Sequence, residues 1–356
     1  MRLYDRYICS RMVGPFFMGL GGFVVLIVGH LLYQSSELII QSRIPAGPVL
    51  EMICLAVPEA AVMALPVSTL LAAALTLNAL ARDNEFVPLR AAGLTSGRLQ
   101  RPVLLFGAAT MVGTFFLAES VVPWTKRATI TLATQLIRTR RTLALKPGRF
   151  IAVGGGSYFY AQSVDNRTET VDGLIAVTVP GKDYPVLIQA RKAILQGEEC
   201  EFFDAVIYHV FERQFITRGL AAHGRINLPQ LITSLTQQIT DQEQFSLREL
   251  RHRLKSTQRG TDPRVRRYAL ELHSRLAMPV ACLIFAFVAG PLTLRFARGE
   301  ALVGVLITIM VVFLYFVAML WMKTLGVNGR LQPLIAAWAP NVLFVVVGLL
   351  SAGRQR

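Results

Sequence analysis

The sequence predicts an α-helical membrane protein of six transmembrane helices, three on either side of an inserted all-β domain. Three observations predict it: long stretches almost without charge, arginines gathered beside those stretches, and a polar middle segment with strand and turn signals. Only 17% of the 356 residues are charged and 53% are hydrophobic, whereas soluble domains run near a quarter charged.

The nearly charge-free windows are Val13 to Tyr33, Met52 to Ala81, Pro102 to Leu117, Leu276 to Leu294, Ala301 to Met322 and Leu331 to Leu350. Each approaches the length needed to cross a hydrocarbon core of about 30 Å as a helix, the shorter ones by borrowing flanking residues. A signal peptide is the rival reading of the first window. Leu31-Leu32-Tyr33-Gln34 lacks the small residues of a cleavage site, so the window is read as a span.

Arginines and one lysine set the orientation. Arg2, Arg6 and Arg11, then Arg82, Arg90, Arg98 and Arg101, then Arg295 and Arg298, then Arg354 and Arg356 flank one side, and the short loops opposite hold Arg43, Lys323 and Arg330. Positive charge stays inside, which places both termini in the cytoplasm. The same clustering explains a net charge of +15 without nucleic acid as a partner.

Residues 122–267 form the polar insert and, lying between the third and fourth spans, are expected in the periplasm. They separate an N-terminal membrane half (1–121) from a C-terminal one (268–356). The insert is too long for an unstructured connection. Phe150 to Val153 and Tyr158 to Ala161 flank Gly154-Gly155-Gly156, a hairpin pattern. Leu174 to Val179, Val186 to Ala190, Cys200 to Tyr208 and Phe211 to Ile216 read as further strands of a small antiparallel sandwich or roll. Ser246 with Glu249 three residues on is a capping box, which opens a helix leading back to the membrane.

No chemistry of a familiar kind is encoded. There is no phosphate-binding loop, since Gly181-Lys182 lacks its flanking glycine and hydroxyl. Cys9, Cys54, Cys200 and Cys282 have no metal-ligand spacing, and the five histidines are scattered. Glu59 and Glu119 sit near span ends, where intramembrane proteolysis would not use them. The chain is read as a non-enzyme without cofactors, catalytic residues or metal, so any ATP hydrolysis belongs to another subunit.

The segment Arg82 to Thr95 is the most informative cytoplasmic connection. Its apolar Phe86 and Leu89 fall on one face of a short helix, with Glu85 at its start, Pro88 limiting it and Gly93 as a stop. The bland alternative is an amphipathic connector lying on the bilayer.

This segment resembles the coupling helix of the LptF/LptG (YjgP/YjgQ) permeases of lipopolysaccharide export, through Glu85 and Ala91-Ala92-Gly93. So do Tyr4-Asp5-Arg6-Tyr7-Ile8, the prolines Pro58 and Pro66, Glu119 with Pro123, and Pro147-Gly148-Arg149-Phe150. Glu271 to Pro279, Gly290-Pro291-Leu292 and Ala336 to Asn341 extend the resemblance along nearly the whole chain. It implies a six-span permease with a periplasmic β-jellyroll. Such a permease pairs with a second LptF/LptG-like chain and an LptB-like cytoplasmic ABC ATPase dimer. It extracts a glycolipid such as lipopolysaccharide from the membrane and passes it to an LptC/LptA-like periplasmic bridge. Glu85, with Phe86, Leu89 and Arg90, would engage the ATPase. Where relatives carry basic residues at the outer ends of the first two spans, this chain has Tyr33, Glu37 and Glu59.

Two further sets of residues follow. Phe159, Ile175, Val177 and Phe203 are candidates for an apolar lipid path through the β domain, against ordinary core packing as the alternative. Gly22 and Gly304 are candidates for a seam between paired permeases, because small residues let helices approach closely. A mechanotransmission subunit, which works a periplasmic partner without carrying lipid, is the second reading; six spans rather than four argue against it.

Overall fold

The computed structural model describes residues 3–42, 46–85, 88, 91, 96–139, 148, 150–153, 157–165, 168, 170–178, 186–196, 199–211, 214–227, 247–256, 263–296 and 301–353. The helices are α1 (Leu3–Ser42), α2 (Ala46–Arg82), α3 (Ser96–Phe116), α4 (Val122–Thr139), α5 (Leu247–Ser256), α6 (Pro263–Phe296), α7 (Ala301–Val327) and α8 (Pro333–Gly353). Among the described residues, six helical stretches are long and apolar enough to cross a membrane: Tyr4–Gln34, Ala46–Arg82, Gln100–Leu136, Val265–Pro291, Leu306–Val327 and Pro333–Ser351.

Two compact units divide the chain. One comprises Met1–Leu32, Ala56–Thr125 and Phe245–Arg356; the other comprises Tyr33–Leu55 and Lys126–Gln244.

In the first unit, α1 buries Ile8, Met12 and Phe16, four residues apart, which keeps one stripe of the helix against its neighbours. The Phe16 ring meets that of Phe106 at 5.3 Å, edge to face. Helices α3 and α6 cross closely at Gly107, where an added Cβ would lie 2.5 Å from the Cβ of Ala286. Phe285, Tyr315 and Phe344 bring α6, α7 and α8 together, with ring centroids 4.8 Å apart for Phe285–Tyr315 and 5.3 Å for Tyr315–Phe344. Tyr315 donates its hydroxyl to Asn341 Oδ1 at 2.9 Å, and Asn341 Nδ2 donates to the Ala277 carbonyl at 2.9 Å. One polar chain thus ties three helices where lipid could satisfy none of these groups.

Between α3 and α4 the helix widens into a π segment, Leu117–Val121. Pro123 has no N–H for the carbonyl of Glu119, and its ring crowds that carbonyl. The Val122 N–H reaches back to Leu117 instead. Helix α5 lies on α6 through Leu247, Leu250 and Leu272, with Leu254, Tyr268 and Leu276 around them.

The second unit carries one antiparallel seven-stranded sheet: β1 (Phe150–Val153), β2 (Ser157–Tyr160), β3 (Ser163–Asp165), β4 (Thr170–Thr178), β5 (Val186–Gln196), β6 (Glu199–Phe211) and β7 (Gln214–Asn227). The order is β1-β2-β4-β5-β6-β7, with β3 continuing β2 along β4. The hairpin expected at Gly154 to Gly156 is present as β1 paired with β2. The strand expected over Phe211 to Ile216 is not: the chain reverses there, Phe211 of β6 pairing with Gln214 of β7.

The buried face of this sheet changes phase along one line. Val171 and Leu174, Ala193 and Ala190, and Phe202 and Ala205 are all buried, three residues apart rather than two. The residues between them are Asp172 and Gly173, Lys192 and Arg191, and Phe203 and Asp204. The regular pairings step over Gly173, Arg191 and Asp204. Gly173 has φ +64° and Asp204 φ +51°, the left-handed conformation that glycine and, less readily, aspartate accept. A Cβ at Gly173 would also strike the Gln162 side chain at 2.6 Å. These positive φ values form a crease shared by consecutive strands.

Candidate functional site

Helix α2 ends in a Schellman turn. The Asn84 N–H bonds the Ala81 carbonyl at 3.2 Å, and the Glu85 N–H bonds the Leu80 carbonyl at 3.0 Å. Asn84 takes the left-handed conformation that this turn requires, φ 57°. The helix therefore stops at Asn84, and Glu85 leaves it at a position held by two backbone bonds.

The Glu85 carboxylate is occupied. Tyr7 of α1 donates its hydroxyl to both oxygens, at 3.2 and 3.1 Å, and Arg11 Nη1 lies 3.2 Å from Oε1. The Arg11 guanidinium in turn sits over the Tyr7 ring, 4.7 Å from its centroid. About a third of each charged side chain remains open to solvent, 38% for Arg11 and 30% for Glu85. A carboxylate has roughly four acceptor positions, so this one can take a further donor from outside. The proximity of Tyr7 and Arg11 to Glu85 was absent from the sequence reading, although their spacing, one helical turn, places them on one side of α1. Phe86, Leu89 and Arg90 lie outside the described residues, as does Gly93.

A second carboxylate organises the other end of α3. Glu119, on the π segment, accepts the Leu247 N–H at the start of α5, at 3.1 and 3.2 Å to its two oxygens. The expected capping serine, Ser246, lies outside the described residues. A third group, Glu271, accepts from Arg275 Nε at 3.1 Å and lies 3.8 Å from Lys323 Nζ.

The path and seam candidates fall in different environments. Phe159 is buried beside Ala176 and Phe202 in the sheet's apolar cluster. Ile175 and Val177 alternate with Leu174 and Ala176 and so occupy the opposite face, half-buried, as does Phe203 beside Phe202. The four residues do not line one surface. Gly19 packs internally, its added Cβ 3.0 Å from Leu71 of α2, whereas Gly22 faces open space with nothing within 4 Å. Gly304 lies in α7, and its surroundings are outside the described residues.

The chain matches the family model of the lipopolysaccharide export system permease LptF/LptG over residues 6–354. Similar proteins include the lipopolysaccharide export system permease protein LptF of Escherichia coli strain K12, E. coli O157:H7 and Shigella flexneri. Each is 22% identical over 318 residues, covering 87% of this chain and 84% of the relative. With six membrane-length helices and a match from end to end, the chain belongs to the LptF/LptG family of lipopolysaccharide export permeases.

Proposed function

We propose that this chain is the lipid-extracting permease subunit of an ATP-driven exporter. In this reading it lifts lipopolysaccharide or a similar glycolipid from the inner membrane and hands it to a periplasmic bridge. The observation that carries the reading is the family match over nearly the full length. The arginine distribution supports cytoplasmic termini. The three-part organisation, 1–121, 122–267 and 268–356, treats the sheet as part of a periplasmic jellyroll between two three-span halves.

Energy enters from a separate ABC ATPase dimer, which docks on Glu85 with Phe86, Leu89 and Arg90. Glu85 suits the role because its backbone is fixed by the Schellman turn and part of its carboxylate faces outward. A second permease covers α1 and α7, with Gly22 and Gly304 at the seam. Phe17, Met18, Val25, Leu306, Phe313 and Trp321 are exposed apolar side chains on these two helices. Acyl chains follow the apolar positions of the β domain, Phe159 on one face or Ile175, Val177 and Phe203 on the other.

The deciding experiment uses Glu85→Lys in the assembled exporter. A charge-assisted bond contributes about 1.5–3 kcal/mol, and reversal adds repulsion, so the ATPase is expected to dissociate on purification and lipid export to stop. Intact co-purification and export would overturn the coupling role. A cysteine at Gly181 that reacts with an impermeant maleimide only after the inner membrane is breached would overturn the topology.

A further inference from the structure

The carboxylate of Glu85 joins two helices that are far apart in the chain, and the joint has a mechanical consequence. On one side, the two Schellman bonds fasten Glu85 to the last turn of α2. On the other, Tyr7 and Arg11 stand one turn apart on α1 and both hold the same carboxylate, while the guanidinium lies against the phenol ring. Helix α1 is continuous from Leu3 to Ser42. Its buried stripe of Ile8 and Met12, both 0% exposed, begins within the same turn. Helix α1 runs on through Pro15, which has no N–H to give the Arg11 carbonyl, to the exposed apolar side chains Phe17, Met18 and Val25, so a displacement of Glu85 acts on the helix that carries them.

We infer that Tyr7 and Arg11 are positioning residues of the coupling site, passing movement of Glu85 directly into α1. The inference rests on the reading of Glu85 as the ATPase contact. Exposed ion pairs add little to stability, so this triad is better suited to fixing relative position than to holding the fold. Two donors on one carboxylate, Arg11 at Oε1 and Tyr7 reaching both oxygens, define an orientation, whereas one would leave a swivel. Asp83 is the other acid in this corner, and Arg82 lies 3.8 Å from it. Arg82 is thus turned to Asp83, leaving Arg11 as the cation on Glu85 among the described residues.

The test uses the full exporter, co-expressed with its ATPase and second permease and reconstituted in vesicles. A single cysteine replaces Met18, with Cys9, Cys54, Cys200 and Cys282 changed to alanine. Its maleimide labelling is followed with and without ATP, and ATPase retention is measured in the same preparations. For Tyr7→Phe/Arg11→Gln, retention of the ATPase with loss of the ATP-dependent change at position 18 is expected. Arg11→Lys, which keeps the charge, should restore part of the change. Tyr7→Phe alone keeps the ring and decides the matter should the double variant fail to accumulate; a reduced ATP response is then expected. An ATP response equal to the parent's overturns the relay while leaving the ATPase contact standing. A larger response, or tighter ATPase retention, overturns it too, because the pair would then restrain Glu85. The underlying reading fails separately, if Glu85→Ala retains the ATPase fully.

Discussion

Glu119 and Leu247 are 128 positions apart, yet the carboxylate of the first receives the backbone N–H of the second at 3.1 Å. The acid supplies from another helix what an N-cap side chain usually supplies from the same one. It also brings negative charge to the positive end of α5. The π segment and the start of α5 are thereby fastened together.

Glu119→Ala should free that amide. Hydrogen bonds to charged groups contribute about 1.5–3 kcal/mol, equivalent to roughly tenfold to a hundredfold faster exchange of the Leu247 amide. Hydrogen–deuterium exchange of peptides covering 247–256 checks this. Glu119→Gln keeps one acceptor and should fall between parent and alanine.

The Tyr315–Asn341–Ala277 chain predicts a modest stability effect. Side-chain hydrogen bonds between membrane helices average about 0.6 kcal/mol and reach about 1.7 kcal/mol. Asn341→Leu breaks two of them and should lower the Tm in detergent more than Tyr315→Phe, which breaks one.

Two glycines should respond in opposite ways. Gly107→Ala forces a methyl to within 2.5 Å of the Ala286 Cβ, and overpacking of this kind costs about 1–3 kcal/mol. A Cβ added at Gly22 meets nothing within 4 Å among the described residues, so the Tm of the isolated permease should be unchanged in Gly22→Leu. Its effect should appear in cysteine crosslinking of α1 to a second permease, which would be reduced. A lowered Tm for Gly22→Leu alone would place that face inside the fold rather than at a seam.

The Asn84 turn gives a fourth prediction. Left-handed backbone costs an ordinary L-residue roughly 1–2 kcal/mol, so Asn84→Val should destabilise the end of α2 and weaken ATPase retention through a displaced Glu85. Asn84→Gly should preserve both. Thermal unfolding and co-purification read the two effects separately.

The six helices were legible because charge exclusion over a span is a signal every residue contributes to. Their ends were not: α1 runs from Leu3 to Ser42, well beyond the Val13 to Tyr33 window, since a helix continues past the apolar stretch at little cost. The short Pro102 to Leu117 window gains its length from the π segment and α4. The β1–β2 hairpin announced itself through three glycines, whereas the β6–β7 reversal has Glu212-Arg213 between apolar arms and looks like an uninterrupted strand. At the candidate site, Glu85 was visible from its setting. Its bonds to Tyr7 and Arg11 span more than 70 positions and leave no trace in local spacing.

The crease through Gly173, Arg191 and Asp204 bears on how sequences of this kind diverge. An alternating strand tolerates a two-residue insertion, which restores every side chain to its own face. Here the phase has already slipped by one residue on each of three neighbouring strands. A one-residue deletion within Asp172–Gly173 would return β4 to simple alternation, with Val171 and Leu174 still on one face, yet leave it one residue short opposite Arg191–Lys192 and slide Val171 out of register with Ala193. Only matched deletions in the paired strands would preserve the register. A length change along this line in one strand is therefore expected to require a matching change in its partners.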